Sequence, residues 1–182
     1  MAKWNVGARA PLSPREKLIN RYRNARSNLL GVMLFSAINV VMAALGSDTY
    51  FLFSATIPYF IAMLGAILCG RMSDKFYAYL ELGEMNFLPG WLMIGFAVIA
   101  LVLVAAYFVL WLLSKHRVGW LIAALVFFAL DTVLMFVLFG FVGMILDIVF
   151  HIWVLVSLIL GVVAYKQLQN MPPEEVYVQP QV

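Results

Sequence analysis

The chain has 182 residues, of which 65% are hydrophobic and 12% charged, and its mean hydropathy is +0.97. A soluble domain carries about 45–50% apolar and about 25% charged residues, so this composition excludes an ordinary soluble fold and places the chain in the bilayer. Cys69 is the only cysteine, which excludes an internal disulfide and any CxxC metal or redox motif. The net charge of +3 does not point to nucleic acid, because seven of the twelve Lys and Arg precede residue 27, directly ahead of the first apolar run. A basic cluster in that place is a topology signal and a contact for anionic lipid, here through Arg15, Lys17, Arg21, Arg23 and Arg26.

In chain order, residues 1–12 hold Gly7 and Pro11 and little periodicity. Ser13-Pro14-Arg15-Glu16 combines a capping box with proline at the first helical position. The helix it starts mixes Lys17, Arg21, Arg23 and Arg26 with Leu18, Ile19 and Tyr22, and is expected to lie on the cytoplasmic membrane surface before turning inward. About 27 polar and basic residues before the first apolar segment make that segment an expected uncleaved anchor rather than a cleaved signal. The resulting division is a basic tail over 1–27, a transmembrane bundle over 28–166 and a flexible tail over 167–182.

A spanning helix needs about 20 predominantly apolar residues. Segments 28–46, 88–113, 118–139 and 144–165 meet that length. Segment 51–70 is long enough but carries Pro58, Ser54 and Thr56. Five full spans from a cytoplasmic N-terminus would leave Lys115, Arg117 and Lys166 outside, against the positive-inside rule. If 51–70 instead enters and leaves on the outer side, those three fall inside and only Arg71 and Lys75 remain outside. The charge balance therefore favours an all-α bundle of four transmembrane helices plus a Pro-containing re-entrant or partial helix, with five spans and a Pro58 kink as the alternative. No internal repeat supports an inverted-repeat transporter.

Ionisable groups within the hydrocarbon are costly and usually face the bundle interior. Asp131 lies on segment 118–139, and Asp147 and His151 share a face of segment 144–165 at i, i+4. Counted from the short connection between them, Asp131 and His151 lie at about 13 Å depth and Asp147 nearer the mouth. The expectation is that Asp131 and His151 face each other, with segment 51–70 covering them. Asn39 and Ser36 on the first span share the same half of the bundle. Such a cluster can be structural, with a carboxylate accepting from the imidazole, Thr132 or Trp153, or it can relay protons or hold a cation. Catalysis is the third reading, since two intramembrane aspartates can share a proton. That likeness to signal peptidase II is architectural, because the flanking motifs differ, and no HExxH, GxSxG or P-loop occurs. Glu81 and Glu84 in a Tyr-rich stretch read as solvated interfacial carboxylates, and Gly95, Gly140, Gly143 and Gly161 permit close helix approach.

The stretches Gly46-Ser47-Asp48-Thr49-Tyr50-Phe51-Leu52-Phe53-Ser54-Ala55, Ala129-Leu130-Asp131-Thr132 and Asp147-Ile148-Val149-Phe150-His151-Ile152-Trp153-Val154-Leu155 resemble small bacterial multi-pass membrane proteins to which no activity is attached. The resemblance spans most of 20–170 and implies a bacterial cytoplasmic membrane. The leading expectation is a non-enzymatic assembly or accessory protein without cofactor, catalytic residues or metal ligands. Its expected partners are the bilayer and either a second copy or another membrane protein. A proton or cation transporter or channel subunit using Asp131, Asp147, His151 and Asn39, and an intramembrane hydrolase, are the alternatives.

Overall fold

The computed structural model describes residues 12–81, 86–140 and 145–172, and among them every regular element is helical. Four helices are long and apolar enough to cross a membrane: α1 (Pro14–Ala44), α4 (Leu92–Leu113), α5 (Val118–Phe139) and α6 (Ile145–Gln169). Between α1 and α4 lie the shorter apolar α2 (Thr56–Leu68) and the six-residue α3 (Asp74–Tyr79). At about 1.5 Å per residue, the 13 residues of α2 reach roughly 20 Å, short of a hydrocarbon core of about 30 Å.

α1 starts where the capping box places it. Ser13 Oγ accepts from Glu16 N at 3.2 Å, and Glu16 Oε2 accepts from Ser13 N at 2.7 Å. The helix then runs unbroken for 31 residues, so the expected surface helix and first span are one element. Neither glycine nor proline occurs between Pro14 and Gly31, and nothing in that stretch forces a turn at the membrane surface.

Two glycines end α1 and α2 in the same way. Gly46, at φ 81°, follows α1 with Ser47 N donating to Met42 O and Gly46 N to Ala43 O. Gly70, at φ 66°, follows α2 with Arg71 N donating to Ala66 O and Gly70 N to Ile67 O. This paired pattern satisfies carbonyls left open at a helix end and needs a residue tolerant of the left-handed region. The two ends lie against each other: a Cβ on Gly46 would sit 2.2 Å from the Arg71 carbonyl oxygen. The chain therefore leaves α1, descends along it as irregular backbone to Thr56, and climbs back through α2 to the end it started from. Segment 51–70 is re-entrant, and its helix occupies only the return limb. Pro58, expected in the body of the segment, sits in the first turn of α2, where its missing N–H takes no bond from the helix.

The basic end of the bundle is tied together by polar contacts. Arg15 Nη1 donates to Pro172 O at 3.4 Å, Tyr22 donates to Ser114 O, and Arg26 donates to Ser114 Oγ and to Trp111 O. Arg26 thus satisfies carbonyl and hydroxyl groups at the C-terminus of α4, where a cation is favoured by the helix dipole. Lys115, Arg117 and Lys166 share this end with the cations of α1, and Arg71 and Lys75 lie at the far end.

α1 and α6 form the closest helix pair. A Cβ on Gly161 would meet Ala25 Cβ at 2.4 Å, so the two backbones touch, and Ala25 and Gly161 are buried. Asn28 Nδ2 donates to Ser157 Oγ at 2.7 Å across the same seam. Of the other glycines expected to permit close approach, Gly95 and Gly140 have open space around them, and Gly143 lies outside the described residues. α4 begins at Leu92, later than the apolar run from residue 88, because Pro89-Gly90 make the turn ahead of it.

Two outcomes follow. In a Cys69→Ala background, Ser47→Cys and Lys75→Cys are expected to react with an impermeant maleimide from one membrane face, and Lys115→Cys and Gln167→Cys from the other. Labelling of position 75 together with 115 would mean that α2 crosses. Gly161→Ala is expected to cost about 1–3 kcal/mol by overpacking the α1–α6 seam, measured by reversible unfolding in mixed micelles.

Candidate functional site

The start of α2 ends inside the bundle, and its backbone donors need partners there. The first four N–H groups of a helix have no acceptor within it. Ala55 N donates to Ser36 Oγ on α1 at 2.7 Å, Thr56 N to Asp131 Oδ2 on α5 at 2.9 Å, and Ile57 N to Asp131 Oδ1 at 2.9 Å. The fourth position is Pro58, which has no N–H. Every open donor of this helix end is therefore accounted for, and α2 needs no capping side chain of its own.

Asn39 holds the descending limb. Its Nδ2 donates to Phe51 O and Ser54 Oγ, both at 2.8 Å, and its Oδ1 accepts from Phe51 N at 2.7 Å. This clamp keeps Phe53 at φ 70°, a conformation rare for a side chain of that size. The Phe53 ring packs within 5.0 Å of Trp153 and 5.8 Å of Phe150, in space left by Gly31, where a Cβ would lie 2.8 Å from the ring.

His151, 2% exposed, stacks on Phe128 with ring centroids 5.0 Å apart. Its Nδ1 lies 2.8 Å from the Asp147 carbonyl oxygen, which can only accept, so Nδ1 carries the proton. Nε2 faces Thr56 Oγ1 at 3.3 Å and Asp131 Oδ2 at 3.4 Å. In the neutral ring Nε2 accepts from the Thr56 hydroxyl. In the imidazolium it donates to Asp131.

Asp147, 7% exposed, stands in the first turn of α6, where the helix dipole favours an anion. Its Oδ2 accepts from Tyr50 Oη at 2.6 Å, and the Tyr50 ring stacks on Tyr59 at 5.0 Å. Burial, then the hydrogen bond to Asp147, its charge and the neighbouring Tyr59 push the Tyr50 phenol well above its ordinary range.

The structure therefore brings Asp131 and His151 together, joins Asp147 to His151 through its backbone carbonyl, and gives the Asp147 carboxylate a different donor. Among the described residues no hydrogen bond links the two carboxylates. Asn39 stands on α1 and holds the descending limb, reaching Phe51 and Ser54 rather than the aspartates. Thr132 gives its hydroxyl to Phe128 O at 2.8 Å, and Trp153 packs on Phe53, so the structure pairs neither with a carboxylate. Glu81 is exposed, and Glu84 lies outside the described residues. Among the described residues no group of three or more His, Cys, Asp and Glu is placed to hold a metal ion.

Sequence reasoning missed Tyr50, and it missed the Thr56 and Ile57 backbone amides. The tyrosine is one of eight with nothing in its spacing to single it out. Tyr107 was also missed. It is 1% exposed, its hydroxyl has no hydrogen-bond partner among the described residues, and it lines a cavity of about 230 Å³ with Asp131 and Pro58.

Fold and site together define a multi-pass helical membrane protein with a re-entrant segment clamped by buried polar side chains. Compared with protein families, with curated proteins and with solved structures, the chain matches none.

Asp131→Ala is expected to leave two buried donors open, at about 1–3 kcal/mol each, and Asp131→Asn to cost roughly half as much because one oxygen remains. Reversible unfolding in mixed micelles measures both. Tyr50 has the opposite pH sign to a carboxylate. Its raised pKa means that the unfolded chain loses the phenolic proton first. Its contribution to stability is then complete below about pH 10 and declines as pH rises beyond that. The ultraviolet phenolate signal lost in Tyr50→Phe should appear only above the bulk tyrosine transition.

Proposed function

We propose that this chain is a non-enzymatic protein of a bacterial cytoplasmic membrane, with both tails in the cytoplasm, that serves as an assembly or accessory subunit. The occupancy of Asp131 carries the reading. A general base or nucleophile must be directed at substrate. Each Asp131 oxygen instead accepts a backbone N–H of α2, and Oδ2 also faces His151 Nε2 at 3.4 Å, so the carboxylate is oriented toward protein groups. Asn39 and Ser36 are likewise committed to the descending limb. A group of side chains that closes every donor at a helix end is doing the work of a scaffold.

The orientation rests on charge. All described Lys and Arg except Arg71 and Lys75 gather at the end where α1 begins and α6 ends, and cationic loops favour the cytoplasm. Contact with anionic lipid rests on Lys17, Arg21 and Arg23, which are exposed, because Arg15 and Arg26 are partly buried and bonded to Pro172, Ser114 and Trp111. Arg21 also stands at a groove with Asn24, Ser27, Asn28 and Trp153, between α1 and α6. The division into tail, bundle and tail at 1–27, 28–166 and 167–182 belongs to the same proposal, with the basic first turns of α1 emerging from the bilayer.

A second reading has its own observation. His151 Nε2 faces both an acceptor and a hydroxyl, so a proton can arrive on the ring and be stabilised by Asp131. A proton or cation pathway would use that exchange.

Two measurements separate these readings. Native mass spectrometry from bilayer nanodiscs is expected to show the 20.5 kDa chain in a stoichiometric assembly, with itself or with another membrane protein. Vesicles containing the purified chain and an internal pH dye should leak protons no faster than empty vesicles. A lone 20.5 kDa species, or a proton flux abolished by Asp131→Asn, would contradict the first reading.

A further inference from the structure

A cavity of about 540 Å³ opens at the far end of the bundle between the re-entrant segment, α3 and the start of α6. We infer that it is a binding site for an apolar organic cation, an ammonium or phosphonium carried on an aromatic or aliphatic body. This goes beyond the assembly reading and does not depend on it.

Charge is the first argument. Asp48 and Asp147 line the cavity, and among the described residues no Lys, Arg or His lines it. Asp147 is nine-tenths buried, and its one side-chain partner among the described residues is the neutral phenol of Tyr50. A buried carboxylate is normally matched by a positive charge. The first turn of α6 gives Asp147 the partial charge of a helix dipole. No cationic side chain of the described residues reaches it, however: the single salt bridge joins His151 to Asp131, and the imidazole meets only the backbone carbonyl of Asp147.

The walls are the second argument. Tyr59 and Phe60 from α2, Phe76 from α3 and Phe139 from α5 face the space together with Tyr50, and aliphatic side chains of α2 add to the apolar wall. Aromatic faces attract an organic cation and gain most where water is excluded. Oxygen donors from Ser54 and Thr56 stand beside the carboxylates, but the walls are mostly aromatic and aliphatic, so a cation with an apolar body gains contacts there that a bare inorganic ion does not. An anion would be repelled by both carboxylates. A cavity of this size, largely apolar with a few convergent polar groups, matches the usual form of a small-molecule site. Asp48 is exposed at the rim and Asp147 lies within, so a cation entering from the far end meets one carboxylate and then the other.

The test uses the full chain in non-ionic micelles, with tetraphenylphosphonium as the probe and tetraphenylborate as an anion of matched shape. Equilibrium dialysis should show one saturable site for the phosphonium and none for the borate. Asp147→Asn, which keeps an acceptor for Tyr50, is expected to weaken binding at least tenfold, and Asp48→Asn severalfold. If Asp147→Asn fails to fold, Leu64→Trp supplies the check, because it fills the cavity and leaves both carboxylates in place. It should abolish the saturable site. Equal binding of the borate, absence of a saturable phosphonium site, or unchanged affinity in Asp48→Asn and Leu64→Trp would each overturn the inference.

Discussion

A helix that begins inside a membrane exposes backbone donors where there is no water to meet them, each at a cost of several kcal/mol. The carboxylate of Asp131 answers that problem at the start of α2, and the rest of the fold is arranged around it. The benefit is mutual. Asp131 is 4% exposed, and a buried anion without compensation is itself expensive. The N-terminus of α2 supplies two N–H groups and the positive end of a helix dipole in one place. Either partner alone would be a liability at that depth. Together they fix how far the segment descends and at which level it turns.

Other contacts become legible once that junction is set. Ser36 and Asn39 hold the descending limb against α1, so the irregular backbone that precedes Thr56 is satisfied before the helix begins. His151 closes the junction from α6, held by its proton on the Asp147 carbonyl and by stacking on Phe128. Asp147 is thereby divided in use: its backbone orients the imidazole, and its side chain turns toward Tyr50 and the cavity. One turn of α6 thus links a closed polar layer, fully bonded, to an open one that faces a cavity. The scaffold reading belongs to the first layer and the cation site to the second.

Much of this was written in the sequence, because hydrocarbon enforces simple rules. α5 occupies 118–139, the bounds the sequence predicts, since Arg117 and Gly140 stop it at either end. Charge placement alone favoured a re-entrant 51–70, because Lys115, Arg117 and Lys166 could not all share the N-terminal side otherwise. The i, i+4 spacing of Asp147 and His151 put both on one face. What stayed hidden has a common cause. The strongest partners of Asp131 are backbone amides, which have no residue type and leave no mark in a sequence. Pro58 was readable as a breaker, but whether it broke the middle of a helix or opened one depended on where Asp131 stood. The continuity of α1 was missed because basic residues mark a membrane surface without marking a bend.

Hydrogen exchange at the amides of Thr56 and Ile57 tests the Asp131 junction most directly. In the wild-type chain these two amides should exchange as slowly as amides within the spans, although they sit at the start of a short helix beside irregular backbone. In Asp131→Ala they should exchange at least tenfold faster, while the central amides of α5 and α6 keep their protection. Fast exchange at both positions in the wild type, or rates that Asp131→Ala leaves unchanged, would show that the carboxylate does not hold this helix end.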